Sequence, residues 1–193
     1  MRKLIITGAG GQLGSCLLRK FIGDEAFEVC GFTREELDIL DEKGIAEVVD
    51  RQKPFAVINC AAYTAVDRAE SEQEKTRNIN VTGVQNLAKV CEEREVMLIH
   101  ISTDYVFSGE DGGTDVCPYK AQDEVDPRNV YGSTKAEGEK AMLETMQRVQ
   151  HYVVRVGWLY DFEGANFFNT MKRLGSEEGA DLRIVEDQIG TPT

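Results

Sequence analysis

Tyr131 and Lys135 stand four residues apart in the run Tyr-Gly-Ser-Thr-Lys. Residues at positions i and i+4 of a helix lie on one face, so a helix here points the phenol and the amine the same way. Free tyrosine has a pKa of about 10, and a nearby cation favours the phenolate, which predicts a lowered pKa for Tyr131. The pair could then perform acid–base catalysis at a carbonyl oxygen while a hydride reaches the carbon, with Thr103 hydrogen-bonding the same oxygen.

A hydride donor is suggested by Gly8, Gly11 and Gly14, which form a Gly-x-x-Gly-x-x-Gly turn near the N-terminus. An apolar run at 3–7 precedes the glycines, and apolar residues at helical spacing follow them. Strand, glycine turn and helix together form the usual binding site for a dinucleotide phosphate. The spacing differs from the more common Gly-x-Gly-x-x-Gly, and an ordinary strand–helix turn is the alternative interpretation.

The position of Arg34 bears on which dinucleotide is bound. In many such sites an acid about 20 residues after the glycines binds the adenosine ribose hydroxyls. Here that position holds no acid and has Arg34 beside it, and a guanidinium can pair with a 2′-phosphate. The sequence therefore favours NADPH, with NADH as the alternative.

The elements that must position these groups alternate between apolar runs and helical patterns. Strands are predicted at residues 27–32, 55–62, 96–101, 152–156 and 182–185, and helices at 80–95 and 131–146. Such alternation predicts an α/β fold with a doubly wound parallel sheet, Rossmann-like and NAD(P)-binding. Ligands of these sheets bind beyond the carboxyl ends of the strands, where segments 8–14, 61–64 and 102–104 fall.

Composition narrows the possible partners. The chain has 193 residues and a net charge of −12, which disfavours nucleic acid and anionic membrane as partners. Five cysteines are dispersed without a Cys-x-x-Cys pair, as in reducing compartments, and no apolar segment has the length of a membrane span. We therefore expect a cytoplasmic protein. The two histidines, His100 and His151, lie far apart, so we expect no metal site, and His100 is interpreted as structural.

Several motifs together resemble the extended short-chain dehydrogenase/reductase superfamily and, within it, the dTDP-4-dehydrorhamnose reductase family. They include Thr7-Gly-Ala-Gly-Gly-Gln-Leu-Gly14, Ser102-Thr-Asp-Tyr-Val-Phe107 and Val130-Tyr-Gly-Ser-Thr-Lys135. Further matching segments are 59–71, 157–160, 166–167 and 187–193. The resemblance implies reduction of the C4 ketone of a nucleotide sugar, dTDP-4-dehydro-L-rhamnose, to dTDP-L-rhamnose.

The resemblance also implies roles for individual residues. Tyr131 is implied as the proton donor, Lys135 as its activator and the holder of the nicotinamide ribose, and Thr103 as the third catalytic residue. Thr103, Asp104 and Trp158 are implied to contact the sugar. Residues implied to line the cofactor are Gly8, Gly11, Gln12, Leu13, Asp38, Ile39, Ala61, Ala62, Tyr63, Thr64, Ile101, Tyr131 and Lys135.

Two further interpretations stay open beside the reductase. A sugar-nucleotide 4-epimerase would hold NAD tightly, and a regulatory subunit like the β subunit of methionine adenosyltransferase would only bind. A dehydratase is disfavoured because Tyr105 follows Thr103-Asp104 where dehydratases carry a glutamate. We expect an NAD(P)-binding domain at 1–160 and the start of an incomplete substrate-binding region at 161–193. A homodimer is possible.

Overall fold

A five-stranded parallel sheet flanked by helices forms the centre of the molecule. The computed structural model describes residues 1–109, 118–164, 166–177, 181–184 and 190–193. The strands lie in the order β2-β1-β3-β4-β5, and every neighbouring pair is parallel. This order runs outward in both directions from β1, which confirms the predicted doubly wound, Rossmann-like sheet.

The strands lie where the sequence predicted them, except that the prediction at 55–62 overruns β3 by three residues and that the prediction at the C-terminal end fails. Their bounds are β1 Arg2–Thr7, β2 Phe27–Phe32, β3 Ala56–Asn59, β4 Met97–Thr103 and β5 His151–Val156. The predicted strand at 182–185 is wrong for residues 182–184, which have no regular structure, and Val185 lies outside the described residues. The prediction rested on a short apolar run, and such runs do not distinguish a strand from other buried or half-buried segments.

Helices connect the strands, and side-chain caps fix where several of them begin. Their bounds are α1 Gln12–Lys20, α2 Glu42–Gln52, α3 Val66–Ala69, α4 Gln73–Arg77, α5 Gly83–Glu93, α6 Val130–Thr145 and α7 Phe167–Gly175. A π-helical turn, Asn78–Thr82, joins α4 to α5, and a 3₁₀ turn, Asp104–Val106, follows β4. At the start of α6 the side chain of Asn129 accepts a hydrogen bond from the Gly132 N–H at 2.7 Å, a typical N-cap.

Alternating side chains of the inner strands build a core on each side of the sheet. On one side Ile5, Val57 and Leu98 pack with residues of α2, α5 and α6. On the other side Leu4 and Ile58 belong to a smaller cluster that α1 covers. Burial on both faces explains why these strands are continuous apolar runs. Among the described residues, no helix is long and apolar enough to cross a bilayer.

The register of the sheet brings the chemically interesting segments to one edge. Thr7 pairs with Asn59, and Asn59 pairs in turn with His100, so β1 and β3 end at the same level and β4 continues beyond it to Thr103. Thr103 at the end of β4 pairs with Val156 at the end of β5. The glycine turn and the segments that follow β3 and β4 therefore meet along the same edge.

Candidate active site

The turn between β1 and α1 requires glycine at two positions. Gly8 has φ of +66°, and a Cβ there would lie 2.7–2.8 Å from backbone atoms of Cys60 and Ala61. A Cβ on Gly14 would overlap the carbonyl oxygen of Gly8. Any side chain at either position would separate α1 or the segment after β3 from the turn. The glycine spacing thus reflects the close approach of backbone to backbone, as the sequence predicted.

The N-terminus of α1 is suited to an anion. Its N-cap, Gly11, has no side chain to cap the helix, and the first turn carries no acidic residue. The first N–H groups of a helix have no intrahelical acceptor, and they carry partial positive charge. Gly11 itself donates to the carbonyl oxygen of Gly8 at 2.9 Å, which closes the turn beneath these groups. The arrangement fits the pyrophosphate of a dinucleotide.

One cleft of about 1610 Å³ runs along this edge of the sheet. It is lined by every residue that the sequence analysis assigned to the cofactor, the substrate or catalysis. These are Gly8, Gly11, Gln12, Leu13, Asp38, Ile39, Ala61, Ala62, Tyr63, Thr64, Ile101, Thr103, Asp104, Tyr131, Lys135 and Trp158. Side chains that the sequence analysis did not assign also line it, among them Arg68, Lys75, Phe167, Phe168 and Met171.

Arg34 lines the cleft and has an acidic neighbour. Its Nε lies 3.6 Å from a carboxylate oxygen of Asp38, and both side chains are substantially exposed. Both residues line the cleft. A guanidinium at this position can pair with a 2′-phosphate, but Asp38 competes for it. The cleft therefore offers both an arginine for a phosphate and an acid for a ribose hydroxyl.

Tyr131 is held against the end of β4 by close packing of α6. A Cβ on Gly132 would overlap the carbonyl oxygen of Tyr105, so the missing side chain lets the helix approach the 3₁₀ turn. The rings of Tyr105 and Tyr131 meet edge to face with centroids 5.7 Å apart. The Thr103 hydroxyl lies close enough to the Tyr131 phenol to affect its pKa, and both residues line the cleft. Phenol and hydroxyl thus share one end of the cleft.

The pKa of Tyr131 runs against the prediction made from the sequence. Burial raises it, a hydrogen bond with Thr103 acts in the opposite direction, and the nearby Asp104 and Tyr105 raise it further. Lys135, expected to lower this pKa, is not among the groups that act on it. The physical reason is that the amine of Lys135 is directed elsewhere.

Lys135 lies under the floor of the cleft, and only 2% of it is exposed. Its Nζ donates to the carbonyl oxygen of Ile101 at 2.7 Å and lies 3.3 Å from Nε2 of His100. Burial lowers the pKa of Lys135 to about 8, although Glu139 and Cys60 oppose the shift. Lys135 thus lines the cleft on the same helical face as Tyr131, as predicted, but it bonds to β4.

A buried polar chain that sequence reasoning missed continues from Lys135 across the sheet. His100, on β4, lies 3.0 Å from the Nδ2 of Asn59, on β3. Asn59 Oδ1 accepts from Thr7 Oγ1 at 2.6 Å and from the Ala61 N–H at 3.1 Å. The interpretation of His100 as a merely structural histidine overlooked this chain. A signal was present, because three buried strands each place one polar residue at the same level.

Asp104 and Trp158, which the resemblance implies as sugar contacts, both line the cleft at what we call its outer end. The carboxylate of Asp104 accepts from the Thr103 hydroxyl at 3.1 Å. Gly157 leaves room for it, since a Cβ there would lie 2.6 Å from Asp104 Oδ2. Trp158 is 43% exposed and adopts a φ of +41°, which is rare for a residue with a side chain. Its ring lies 6.1 Å from that of Phe167, so two aromatic rings face this part of the cleft.

A buried ion pair supports the end of β4 from behind. Arg155 on β5 and Glu139 on α6 pair at 2.7 Å, and their side chains are 20% and 5% exposed. Ser102 also donates to the Glu139 carboxylate. Arg155 further donates to the carbonyl oxygen of Ala121 at 3.0 Å. These bonds join α6 to the two strands whose ends carry Thr103 and Val156.

The sheet order, the glycine turn and the cleft define a Rossmann-like protein. The chain belongs to the RmlD substrate binding domain family, whose sequence model matches residues 1–193. Similar to it is the dTDP-4-dehydrorhamnose reductase of Mycolicibacterium smegmatis, 42% identical over 193 residues, which are all of this chain and 56% of that protein. The chain thus spans little more than half the length of that relative.

Solved structures of reductases share the fold closely. A dTDP-4-dehydrorhamnose reductase from Clostridium acetobutylicum has a TM-score of 0.90 at 40% identity, with 99% of this chain and 65% of that chain covered. The reductase of the same kind from Bacillus anthracis, in complex with NADP, has a TM-score of 0.82 at 38% identity. That match covers 91% of this chain and 60% of the other. Both matches confirm the predicted fold and family.

Proposed function

We propose that the protein is an NADPH-dependent reductase that converts dTDP-4-dehydro-L-rhamnose to dTDP-L-rhamnose. The observation that carries the proposal is that one cleft contains both a glycine turn built for a dinucleotide and the acid–base group Tyr131–Thr103. The reductases of similar sequence and structure support it.

The chain's own residues would hold the cofactor along the edge of the sheet. The backbone N–H groups at the start of α1 would bind its pyrophosphate, and Gly8 and Gly14 leave the space for that approach. Arg34 would pair with the 2′-phosphate of NADPH, and the NADP in the Bacillus anthracis reductase supports this choice. When bound, NADPH supplies the hydride for the C4 carbon of the sugar.

Tyr131 would then act as the proton donor. As the hydride adds to C4, the electrons of the C=O bond move to oxygen, which takes the phenolic proton. Because burial raises the pKa of Tyr131, the phenol is protonated at neutral pH and is ready to donate. Thr103, whose hydroxyl lies close to the phenol, would orient the same oxygen. This assignment keeps the predicted role of Tyr131 and drops the requirement that Lys135 lower its pKa.

The outer end of the cleft would receive the sugar nucleotide. Asp104 offers a carboxylate to sugar hydroxyls, and Trp158 and Phe167 offer apolar faces to a ring. Residues 161–193 would contribute part of this wall, because Phe168, Met171 and Ile184 also line the cleft. We propose that residues 1–160 form the cofactor-binding domain and that 161–193 begin the substrate-binding part.

An NADPH-consumption assay with dTDP-4-dehydrorhamnose tests the proposal. The Tyr131→Phe variant keeps the ring but lacks the proton, and we expect its kcat to fall about 10²–10⁴-fold. Tyr152→Phe is the matched control, because Tyr152 is exposed on β5 and does not line the cleft. We expect it to retain full activity.

The same assay distinguishes the rival functions. A 4-epimerase would interconvert a nucleotide sugar without consuming NADPH, and a regulatory subunit would bind NADPH without turnover. Either result, or undiminished turnover by Tyr131→Phe, would refute the proposed mechanism. Running the assay on this chain and on a version extended to the length of its relatives separates a missing substrate site from a wrong function.

A further inference from the structure

The orientation of the Asn59 side chain is fixed by a backbone donor. The Ala61 N–H lies 3.1 Å from Asn59 Oδ1, and a backbone N–H can only donate. Rotating the amide by 180° would place its NH₂ group against this N–H, donor against donor. Oδ1 therefore faces Ala61 and Thr7, and Nδ2 faces His100.

This orientation decides which nitrogen of His100 carries the proton. Asn59 Nδ2 is a donor, so Nδ1 of His100, 3.0 Å away, must accept with a lone pair. His100 is fully buried, and burial together with the nearby Lys135 lowers its pKa well below the ordinary value, so the ring is neutral. A neutral imidazole with unprotonated Nδ1 carries its hydrogen on Nε2.

The Nε2–H of His100 then faces Lys135, whose Nζ is 3.3 Å away. An ammonium has three donors and no acceptor. In the charged form of Lys135, an N–H of the ammonium and the Nε2–H of His100 would therefore face each other, donor against donor. A neutral amine has a lone pair that can accept from Nε2–H while an N–H of the amine still donates to Ile101. We propose that Asn59 fixes the Nε2–H tautomer of His100, and that His100 thereby acts as a positioning residue that disfavours the charged form of Lys135.

The other groups around Lys135 do not cancel this effect. Cys60 lies nearby after β3, and burial raises the pKa of its thiol to about 12, so it is uncharged. Tyr131, on the same helix, has a raised pKa and is also uncharged at neutral pH. Glu139 is anionic, but its carboxylate is bound to Arg155 and Ser102. Burial is the main cause of the lowered pKa of Lys135. The Nε2–H of His100, 3.3 Å from the amine, adds to it as a hydrogen-bonding preference for the neutral form.

The consequence for catalysis rests on the proposed function. Lys135 lines the cleft beside Tyr131, and its charge would influence a cofactor bound there. The tautomer of His100 would then determine the pH at which activity declines on the alkaline side. The hydrogen-bond assignment itself does not depend on the reaction and is tested without substrate.

Nitrogen NMR of the protein labelled with ¹⁵N-histidine tests the tautomer directly. The chain has two histidines, so His151→Gln assigns the His100 signals and serves as the control. We expect an unprotonated Nδ1 and a protonated Nε2 in His100, unchanged between pH 6 and pH 8. A protonated Nδ1, or a ring that titrates in this range, overturns the proposal, whether or not the protein reduces any sugar.

Two variants test the effect of His100 on the charge of Lys135. The pH midpoint at which Lys135 loses its proton is measured by ¹³C NMR of the lysine side chains, and Lys135→Met identifies the Lys135 signal. Asn59→Asp supplies an acceptor to Nδ1, so we expect the tautomer to switch and the Lys135 midpoint to rise. His100→Gln can place an amide oxygen where Nε2–H stood, and we expect a rise of about one pH unit. His151→Gln should leave the midpoint near 8.

An unchanged midpoint in both folded variants would refute the role of His100, even if the tautomer is as expected. If the protein also reduces dTDP-4-dehydrorhamnose, the alkaline limb of kcat/KM should move upward with the Lys135 midpoint in His100→Gln. If the alkaline limb of kcat/KM does not shift while the Lys135 midpoint does, His100 does not control activity through Lys135. The proposed reductase function would not be affected by that result.

Discussion

The amine of Lys135 lies 2.7 Å from the carbonyl oxygen of Ile101, at the end of β4 and beneath the cleft floor. This contact holds the cation against the sheet, where it is almost completely removed from water. Burying a charge without a bound counter-ion is unfavourable, which is why the pKa of Lys135 falls to about 8. The buried charge of Lys135 therefore lowers the stability of the folded protein, as expected for a residue whose role is functional and not structural.

Lys135→Met is predicted to stabilise the protein at neutral pH. The change in pKa from 10.5 to about 8 corresponds to roughly 3 kcal/mol against folding below pH 8, part of which is offset by the lost bond to Ile101. Between pH 8 and 10.5 the unfolded chain binds the proton and the folded one does not, so wild-type stability rises with pH there. We therefore expect urea unfolding to show that Lys135→Met raises the free energy of unfolding, relative to the wild type, by less at pH 10 than at pH 7.

The matched control for this variant is Lys140→Met, five residues along α6. Lys140 is exposed, and its pairing with Glu144 at 3.8 Å contributes little. We expect its free energy of unfolding to match the wild type within about 0.5 kcal/mol at both pH values. Equal effects of the two variants, or a gain for Lys135→Met that grows with pH, would contradict the buried-cation argument.

Gly14→Ala is predicted to destabilise the protein by several kcal/mol and to abolish NADPH binding. The new methyl group would overlap the carbonyl oxygen of Gly8, a backbone atom that also accepts the Gly11 N–H and so cannot move away cheaply. Gly10→Ala is the control from the same turn, since its Cβ would meet the Thr33 methyl at an ordinary 3.6 Å. Thermal unfolding and NADPH titration check both variants. Similar losses of stability and NADPH affinity in the two variants would show that any substitution in the turn is harmful, and would contradict the specific role of Gly14 in the packing of α1.

Much of the fold and most of the cleft could be predicted from the sequence. Buried parallel strands are continuous apolar runs, so all of β1 to β5 were predicted at the right place, although the prediction at 55–62 ran three residues past the end of β3. Parallel topology then placed their ends together. Glycine patterns were informative because Gly8 and Gly14 are required by close backbone contacts. Where an apolar run was short and exposed, as at 182–184, the prediction of a strand was wrong.

Electrostatics were less predictable than position. The i, i+4 spacing correctly placed Tyr131 and Lys135 beside one cleft, but it could not show that the amine bonds to β4. Burial then reversed the expected direction of the Tyr131 pKa. His100 was read as structural because its partners, Asn59 and Lys135, are 41 and 35 residues away in sequence. The direction and size of a pKa shift depend on three-dimensional contacts between residues that are distant in sequence.

Glu139→Ala is predicted to destabilise the protein by about 2–4 kcal/mol. It would leave the guanidinium of Arg155, 20% exposed, without its carboxylate partner, and Ser102 without its acceptor. Arg155 keeps its bond to Ala121, so we expect a loss somewhat below that of a fully buried pair. Glu144→Ala on the same helix removes only an exposed pair and should cost less than 0.5 kcal/mol. Urea unfolding measures the free energy of unfolding of both variants. Equal decreases for Glu139→Ala and Glu144→Ala would contradict a structural role for the buried pair.

Trp158 is predicted to report on ligands in the cleft. It is the sole tryptophan of the sequence, it lines the cleft, and 43% of it is exposed, so a bound ring would change its surroundings. Tryptophan emission overlaps the absorption of the reduced nicotinamide, so NADPH should quench it saturably by energy transfer. NADP, which lacks that absorption, should quench it less at equal occupancy. Trp158→Phe should remove the protein signal, and NADPH binding that calorimetry detects without any quenching in the wild type would place the nicotinamide far from Trp158.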